Sequence, residues 1–212
     1  MDDTENEIRD LAKKYAKELN FQIQAREEEM ENDDTSHYLI YRVLGITDEE
    51  GELIDSYQNK GRFLYRFAGS FLENAALLCF QHKYPGVGCA KIPNTRGKNP
   101  KTFQIDCLIN NDAIEVKWRD ATTDGDHITK EHTRVKVIRE TGYTPIRVMF
   151  YYPNRAQAIR IQDTLKTLYH STDIMGQYYS GNDAWEFIKD YTDINLKEIL
   201  ELIAEENRRV VQ

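Results

Sequence analysis

An aspartate, a glutamate and a lysine occur close together in the middle of the sequence, as Asp106, Glu115 and Lys117. Two carboxylates on neighbouring strands repel each other, unless a divalent cation lies between them and reverses the local electrostatics. Carboxylate oxygens suit Mg²⁺, which keeps several of its waters and also binds phosphate oxygens. A lysine two residues after the second acid shares its face of a strand. The three groups therefore predict Mg²⁺-assisted hydrolysis of a phosphodiester, against the alternative of an exposed strand face with ordinary charges.

The three residues lie in two strand-like segments that predict an antiparallel hairpin. The segments are 103–109 (FQIDCLI) and 113–118 (AIEVKW), and two asparagines that tolerate a left-handed backbone lie between them. In the register that pairs Ile109 with Asp112 across the turn, Asp106 lies opposite Glu115. This register predicts one apolar face, made of Phe103, Ile105, Cys107, Ile109, Ile114, Val116 and Trp118. The other face is predicted to hold Gln104, Asp106, Leu108, Ala113, Glu115 and Lys117.

A further acid lies upstream of this hairpin, in a segment that is otherwise apolar. Glu73 is the only acidic residue between positions 61 and 104, and it occurs within FAGSFLENAALL. A lone carboxylate among apolar residues needs either a partner or partial exposure. Glu73 is therefore a candidate site residue, and a partly exposed helix position is the alternative.

The rest of the sequence predicts one mixed α/β domain, because strand-like and helix-like segments alternate. Its divisions are an N-terminal helical region (1–60), a catalytic core (61–170) and C-terminal helices (171–212). Spacing of apolar residues and helix-ending Gly and Pro predict helices over 4–19, 36–45, 62–83, 128–141, 154–169, 182–191 and 195–209. The segment 146–152 (IRVMFYY) predicts a buried strand, and little regular structure is expected in the Gly-, Pro- and Lys-rich segment 86–102.

Ile105-Asp106 followed by Glu115-Val116-Lys117 matches the signature of the PD-(D/E)XK nucleases, with isoleucine in place of proline. The helix, strand and helix predicted after the hairpin, over 128–169, also match the order of the αβββαβ core of that superfamily. From about Asn59 to Tyr169, the stretches KGRFLYRFAGSFLE, FQIDCLINNDAIEVKWRDATTDGDH and GYTPIRVMFYYPNRAQA resemble type II restriction endonucleases of the ApaLI type. The resemblance implies a restriction-endonuclease-like fold, a mixed β-sheet flanked by helices. It also implies a Mg²⁺-dependent homodimer of a restriction-modification system that cuts double-stranded DNA at a palindrome, which for this type is GTGCAC.

The same resemblance implies a role for each candidate site residue. Asp106 and Glu115 would hold the metal together with the backbone carbonyl of Val116. Lys117 would orient or activate the attacking water and stabilise the charge that develops on the phosphate. Glu73 would act as an additional or indirect ligand.

The distribution of charge favours DNA as the partner, although the net charge of the chain is −8. Residues 1–60 contain 17 acidic and 7 basic residues, whereas residues 61–104 contain 1 and 7. A local basic region matters more to a polyanion than the total charge. The predicted DNA-binding residues are Lys91, Asn94, Arg96, Lys98, Asn99 and Lys101 before the hairpin, and Arg119, Lys130, His132 and Arg134 after it. Solvated surface charge is the alternative for each of them.

Several classes of protein fit the sequence poorly. No apolar run is long enough to span a membrane, the acidic N-terminus MDDTENEIRD is unlike a signal or transit peptide, and three widely spaced cysteines predict no disulfide framework. A cytoplasmic protein is expected. Two alternatives to a restriction enzyme stay open, namely a structure-specific repair or junction nuclease and a non-catalytic DNA-binding module of the same fold.

Overall fold

The computed structural model describes residues 2–119, 122 and 124–211. The α-helices are α1 (Asp2–Glu31), α2 (Tyr38–Val43), α3 (Asp48–Lys83), α4 (Asp126–Glu140), α5 (Ala156–Tyr169), α6 (Asn182–Thr192) and α7 (Leu196–Val211). The strands are β1 (Gly88–Pro93), β2 (Thr102–Ile109), β3 (Asp112–Lys117), β4 (Thr144–Met149) and β5 (Gln177–Ser180). A short 3₁₀ helix (Thr35–His37) precedes α2. None of the helices in this part of the chain is long and apolar enough to cross a membrane.

The chain forms two compact units. One comprises Met1–Arg9 and Leu72–Gln212, and it contains the sheet and helices α4 to α7. The other, Asp10–Phe71, consists of parts of α1 and α3 together with α2. In the second unit, α1 and α3 pack through Tyr15, whose ring meets those of Phe67 and Phe71 edge-on.

The five strands form one mixed sheet in the order β1-β2-β3-β4-β5. Strands β1, β2 and β3 pair antiparallel, whereas β4 pairs parallel with β3 and with β5. Parallel pairing requires a crossover between strands, which α4 supplies between β3 and β4 and α5 supplies between β4 and β5. The predicted mixed sheet flanked by helices is therefore confirmed.

The hairpin of β2 and β3 has the predicted register. Cys107 pairs with Ile114 and Ile109 pairs with Asp112, as expected. Asn110 adopts the left-handed backbone (φ 52°) that its side chain tolerates at a turn. The pairing ends at Cys107 and Ile114, one residue before the two acids would meet.

A β-bulge in β2 lies at this point. Between the pairs Gly88–Leu108 and Ala90–Ile105, two steps along β1 correspond to three along β2. The extra residue changes which face of the sheet the following side chains occupy, and bulges commonly occur beside functional sites. Asp106 lies inside this bulge.

The bulge makes one sequence prediction wrong. Phe103 and Ile105 pack in a core cluster with Ala113 and with Val137 of α4, instead of sharing the face of Cys107. Strict alternation fails because the inserted residue reverses it for the part of β2 that precedes Asp106. The register was correct, but the clean separation into two faces holds only from Cys107 onward.

Other elements differ from the prediction at their ends or in their existence. Strand β1 forms in the segment that was expected to lack regular structure, and β5 was not predicted. Strand β1 lies at the sheet edge and buries only Ile92 fully, so its sequence carries little apolar alternation. Helices α1 and α3 are longer than predicted, since their charged halves lack the apolar spacing that marks a packed helix.

Candidate active site

The four predicted catalytic side chains lie together at the sheet unit, in α3, β2 and β3. The ammonium nitrogen of Lys117 lies 2.6 Å from Oε1 of Glu115 and 3.7 Å from Oε1 of Glu73. Oδ2 of Asp106 accepts a hydrogen bond from the backbone N–H of Val116 at 2.9 Å. Strand alternation places Glu115 and Lys117 on one face, as predicted, and the bulge brings Asp106 to the same site.

Asp106 is also held through its backbone by the neighbouring edge strand. The thiol of Cys89 in β1 donates to the carbonyl oxygen of Asp106, with Sγ and O 3.2 Å apart. The Val116 hydrogen bond and the Cys89 contact fix the side chain and the main chain of Asp106 from opposite neighbours. The bulged residue is therefore tied to both adjacent strands.

Glu115 is the more deeply buried of the two acids, with 8% of its surface exposed. One of its oxygens forms an ion pair with the ammonium of Lys117, and the other accepts a hydrogen bond from the guanidinium of Arg134 in α4. Burial alone would raise the pKa of Glu115, but the charges of Arg134 and Lys117 outweigh it and lower the pKa to about 2. Glu115 is consequently an anion at neutral pH.

Behind Glu115, buried charges continue into the core. Arg134 donates to the backbone carbonyl of Gln104 at 3.0 Å, and its Nη1 lies 3.5 Å from Oε1 of Glu131. The same Glu131 oxygen accepts from the hydroxyl of Tyr169 at 2.5 Å and from Nη1 of Arg147 at 3.3 Å. Arg147 is fully buried on β4, at the position paired with Glu115. Each carboxylate in this series therefore contacts at least two donors, as buried ions require.

Asp106 has the opposite electrostatic character. Burial first, and the charge of Glu115 second, raise the pKa of Asp106 to about 7, despite the opposing effect of Lys117. Burial also raises the pKa of Glu73. The pKa of Lys117 is raised, because the carboxylates of Glu115 and Asp106 outweigh its burial. Lys117 is therefore a protonated ammonium at neutral pH.

These residues fit a hard divalent cation. The donor set is two carboxylates, and the raised pKa of Asp106 marks a negative charge that the protein does not fully compensate. A cation beside Asp106 and Glu115 would relieve that charge. Across the described ranges, no three or more His, Cys, Asp and Glu side chains cluster as a preformed metal cage. A set of only two acids suits Mg²⁺, which keeps several waters as ligands.

The predicted DNA-binding residues before the hairpin lie in β1 and in the loop after it. Lys91, Lys98, Asn99 and Lys101 are exposed. Arg96 is exposed too, but both Oε atoms of Glu140 accept from its Nε at 3.0 Å. The side chain of Asn94 instead closes the loop, because its amide donates to the Pro100 carbonyl at 2.9 Å and its oxygen accepts from the Arg96 backbone N–H at 3.0 Å.

The predicted DNA-binding residues after the hairpin divide into surface and buried positions. Lys130 and His132 are exposed on α4, and Arg119 donates to Oδ1 of Asn154 at 2.9 Å. Arg134 is not on the surface, since it is 8% exposed and enclosed by Glu115 and Glu131. Its position makes it a partner of the acids instead of a phosphate contact. Residues 120, 121 and 123, which follow Arg119 in the predicted DNA-contacting segment 119–136, lie outside the described residues.

Sequence reasoning missed three members of the site's surroundings, namely Glu131, Arg147 and Tyr169. The spacing of charged residues in the sequence could have identified Glu131. Glu131 and Arg134 are three residues apart, and they share a helix face with Val135 and Ile138. Charged residues on an apolar helix face must be paired when they are buried. For Arg147, which is the one charged residue within 146–152, the partner could not be identified without the fold.

Comparison with known proteins gives a family. A family model described as ApaLI-like restriction endonuclease matches residues 1–205 of the chain. Neither the search of curated proteins nor that of solved structures found a match. The family match covers nearly all of the sequence, including the hairpin and both compact units. The chain therefore belongs to the family of ApaLI-like restriction endonucleases.

Proposed function

We propose that the protein is a type II site-specific deoxyribonuclease that hydrolyses double-stranded DNA with Mg²⁺ at a short palindrome. The observation that carries this proposal is the position of Lys117, whose ammonium lies between the carboxylates of Glu115 and Glu73 with Asp106 beside them. A partly buried ammonium beside acids is placed to contact a phosphate that reaches this site. For an enzyme of the ApaLI type, the expected palindrome is GTGCAC.

The metal ligands in this proposal are Asp106, Glu115 and the carbonyl of Val116. Bound there, Mg²⁺ would act as a Lewis acid that stabilises negative charge on the scissile phosphate. Glu115 needs no deprotonation to serve, because Arg134 and Lys117 keep it ionised. Asp106 would serve in its ionised form, which a bound cation would favour, and the Val116 N–H holds one of its oxygens in place.

Lys117 acts as a donor and a fixed positive charge. Because the surrounding carboxylates raise its pKa, it cannot accept a proton from water at neutral pH. Its hydrogen bonds would orient the attacking water and stabilise the charge that builds on the phosphate in the transition state. Glu73 assists by holding the ammonium from the side of α3.

The partners follow from the chemistry of a palindromic site. Two copies of one chain related by a two-fold axis present two identical sites to the two strands, so a homodimer is the simplest assembly. DNA contacts are assigned to Lys91, Lys98, Asn99, Lys101, Lys130 and His132, which are exposed, with Arg96 and Arg119 available once they leave their present partners. Both compact units would belong to one nuclease, which we expect to be cytoplasmic and to act in a restriction-modification system.

The decisive experiment is a plasmid digestion with and without Mg²⁺, followed by sequencing of the ends. Wild type should give discrete fragments with one common end sequence, and Lys117→Ala should cut about a hundred- to a thousandfold more slowly while DNA affinity is retained. Lys189→Ala, at an exposed ion pair on α6, is the matched control and should cut normally. An undiminished cutting rate for Lys117→Ala would refute the proposal, and cutting of branched DNA alone would favour a structure-specific nuclease.

A further inference from the structure

The unit Asp10–Phe71 has an open groove between α1 and α3 that no part of the proposed mechanism uses. It consists of two clefts of about 520 and 400 Å³ that share Arg66. The residues lining the larger cleft are Lys14, Lys17, Glu18, Phe21, Gln22, Arg66 and Phe67. Those lining the smaller cleft are Arg26, Asn59, Arg62, Phe63 and Arg66.

The lining of this groove is strongly cationic. It contains five basic side chains and one acidic side chain, although residues 1–60 as a whole carry 17 acids and 7 bases. Lys14 approaches Glu18 only to 3.9 Å, and Arg26 pairs with Glu29. Lys17, Arg62 and Arg66 form no ion pair with any residue that the structure describes. Three positive charges in the groove are thus left for an external anion.

Two of these cations, Arg62 and Arg66, belong to α3. The guanidinium of Arg66 lies 5.4 Å from the ring centre of Phe63 and 5.0 Å from that of Phe67. These rings hold the charge in place without neutralising it. Arg62 lies one turn before Arg66 on the same side of α3, so both guanidinium groups face the same partner. Asn59 is fixed by its hydrogen bond to the Asp55 carbonyl at 2.8 Å.

We propose that this groove, with Lys17, Arg62 and Arg66 as its free cations, binds the phosphate backbone of duplex DNA. The inference rests on the proposed function, because it takes DNA as the polyanion. The groove is open and offers several separated cations with no closed pocket for one small anion, which matches a chain of phosphates. Phosphate contacts carry no sequence information, so the groove adds affinity and position without reading bases.

The test measures the salt dependence of DNA binding for the full chain without divalent metal. The ligand is a duplex of about 40 base pairs, which contains GTGCAC in one set of measurements and a scrambled site in the other. Each lost phosphate contact lowers the slope of log K against log salt by about 0.9, so Arg62→Gln/Arg66→Gln should lower it by about 2 and Lys17→Gln by about 1. The loss should be equal for both duplexes. Arg42→Gln, which breaks an exposed ion pair with Asp48 in the same unit, should leave the slope unchanged.

The outcomes separate this inference from the function beneath it. If wild type binds and cuts DNA but the groove variants keep its slope, the groove inference is overturned and the proposed function stands. If wild type neither binds nor cuts duplex DNA, both are overturned. If the variants keep the slope and lose mass in light scattering, the groove instead contacts a second copy of the chain. Lys17→Gln alone removes one exposed ammonium from α1, so its result holds even if the double variant folds poorly.

Discussion

The two acids of the candidate site differ according to the side of the site on which they lie. On the α4 side, Glu115 contacts two cations of the protein, and its pKa falls to about 2. On the β1 side, Asp106 has no ion pair within the described part of the chain, and its pKa rises to about 7. Burial acts on both in the same direction, so the cations supplied by α4 and β3 make the difference. Glu115 is therefore ionised at neutral pH by the protein's own cations, whereas full ionisation of Asp106 requires an external cation.

The largest expected effect comes from removing the cation on the α4 side. Arg134→Met would leave Glu115 and Glu131 buried without their shared partner, and the free energy of unfolding should fall by about 3 to 5 kcal/mol. Denaturant unfolding in the absence of metal measures this change. Arg139→Met on the same helix is the control, because Arg139 makes no ion pair among the described residues, and it should change stability little. A loss as small as that of the control would mean that the buried charges do not depend on Arg134.

An effect of opposite sign is expected on the β1 side. In metal-free protein above pH 7, Asp106→Asn should raise the free energy of unfolding by about 1 to 2 kcal/mol, because it removes a partly buried charge that the protein does not fully compensate. The folded state holds the Asp106 proton up to about pH 7, whereas an ordinary aspartate releases it near pH 4. Wild-type stability therefore falls as the pH rises through that window, and the advantage of the variant should vanish near pH 4.

The difference between the two acids also predicts how Mg²⁺ changes the stability of wild type and of Asp106→Asn. Added Mg²⁺ should raise the unfolding temperature of wild type, since a ligand that binds the folded state stabilises it. It should have no such effect on Asp106→Asn, which should also fail to cut DNA. If Asp106→Asn is less stable than wild type at pH 8, the protein already compensates the negative charge of Asp106.

The smallest effect is expected at the exposed ion pair of Arg96 and Glu140. The carboxylate that neutralises Arg96 can be removed there without disturbing the core. Glu140→Gln would free Arg96 from the carboxylate that now occupies it, and DNA affinity should rise by no more than about threefold. Fluorescence anisotropy with a labelled duplex at fixed salt measures it. Glu198→Gln on α7 serves as the control for the change in net charge. A fall in affinity would show that Glu140 positions Arg96 instead of competing for it.

The sequence determined those features that depend on neighbours along the chain. Apolar alternation and the asparagines of the turn were sufficient for the register of β2 and β3, and alternation along β3 was sufficient for placing Glu115 beside Lys117. The signature of Asp106, Glu115 and Lys117 was likewise readable. Helix ends marked by Gly142 or by Pro85 were predicted within a few residues, because those residues act locally.

Tertiary structure alone decided which charges are compensated. The bulge at Asp106 needs the partner strand β1, whose own sequence shows little apolar alternation. The neutralisation of Glu115 needs Arg134, a residue 19 positions away that looked like one more surface cation. The physical reason is that alternation and turn preference act between adjacent residues, whereas burial and ion pairing depend on distances in space that only packing of the helix against the sheet sets.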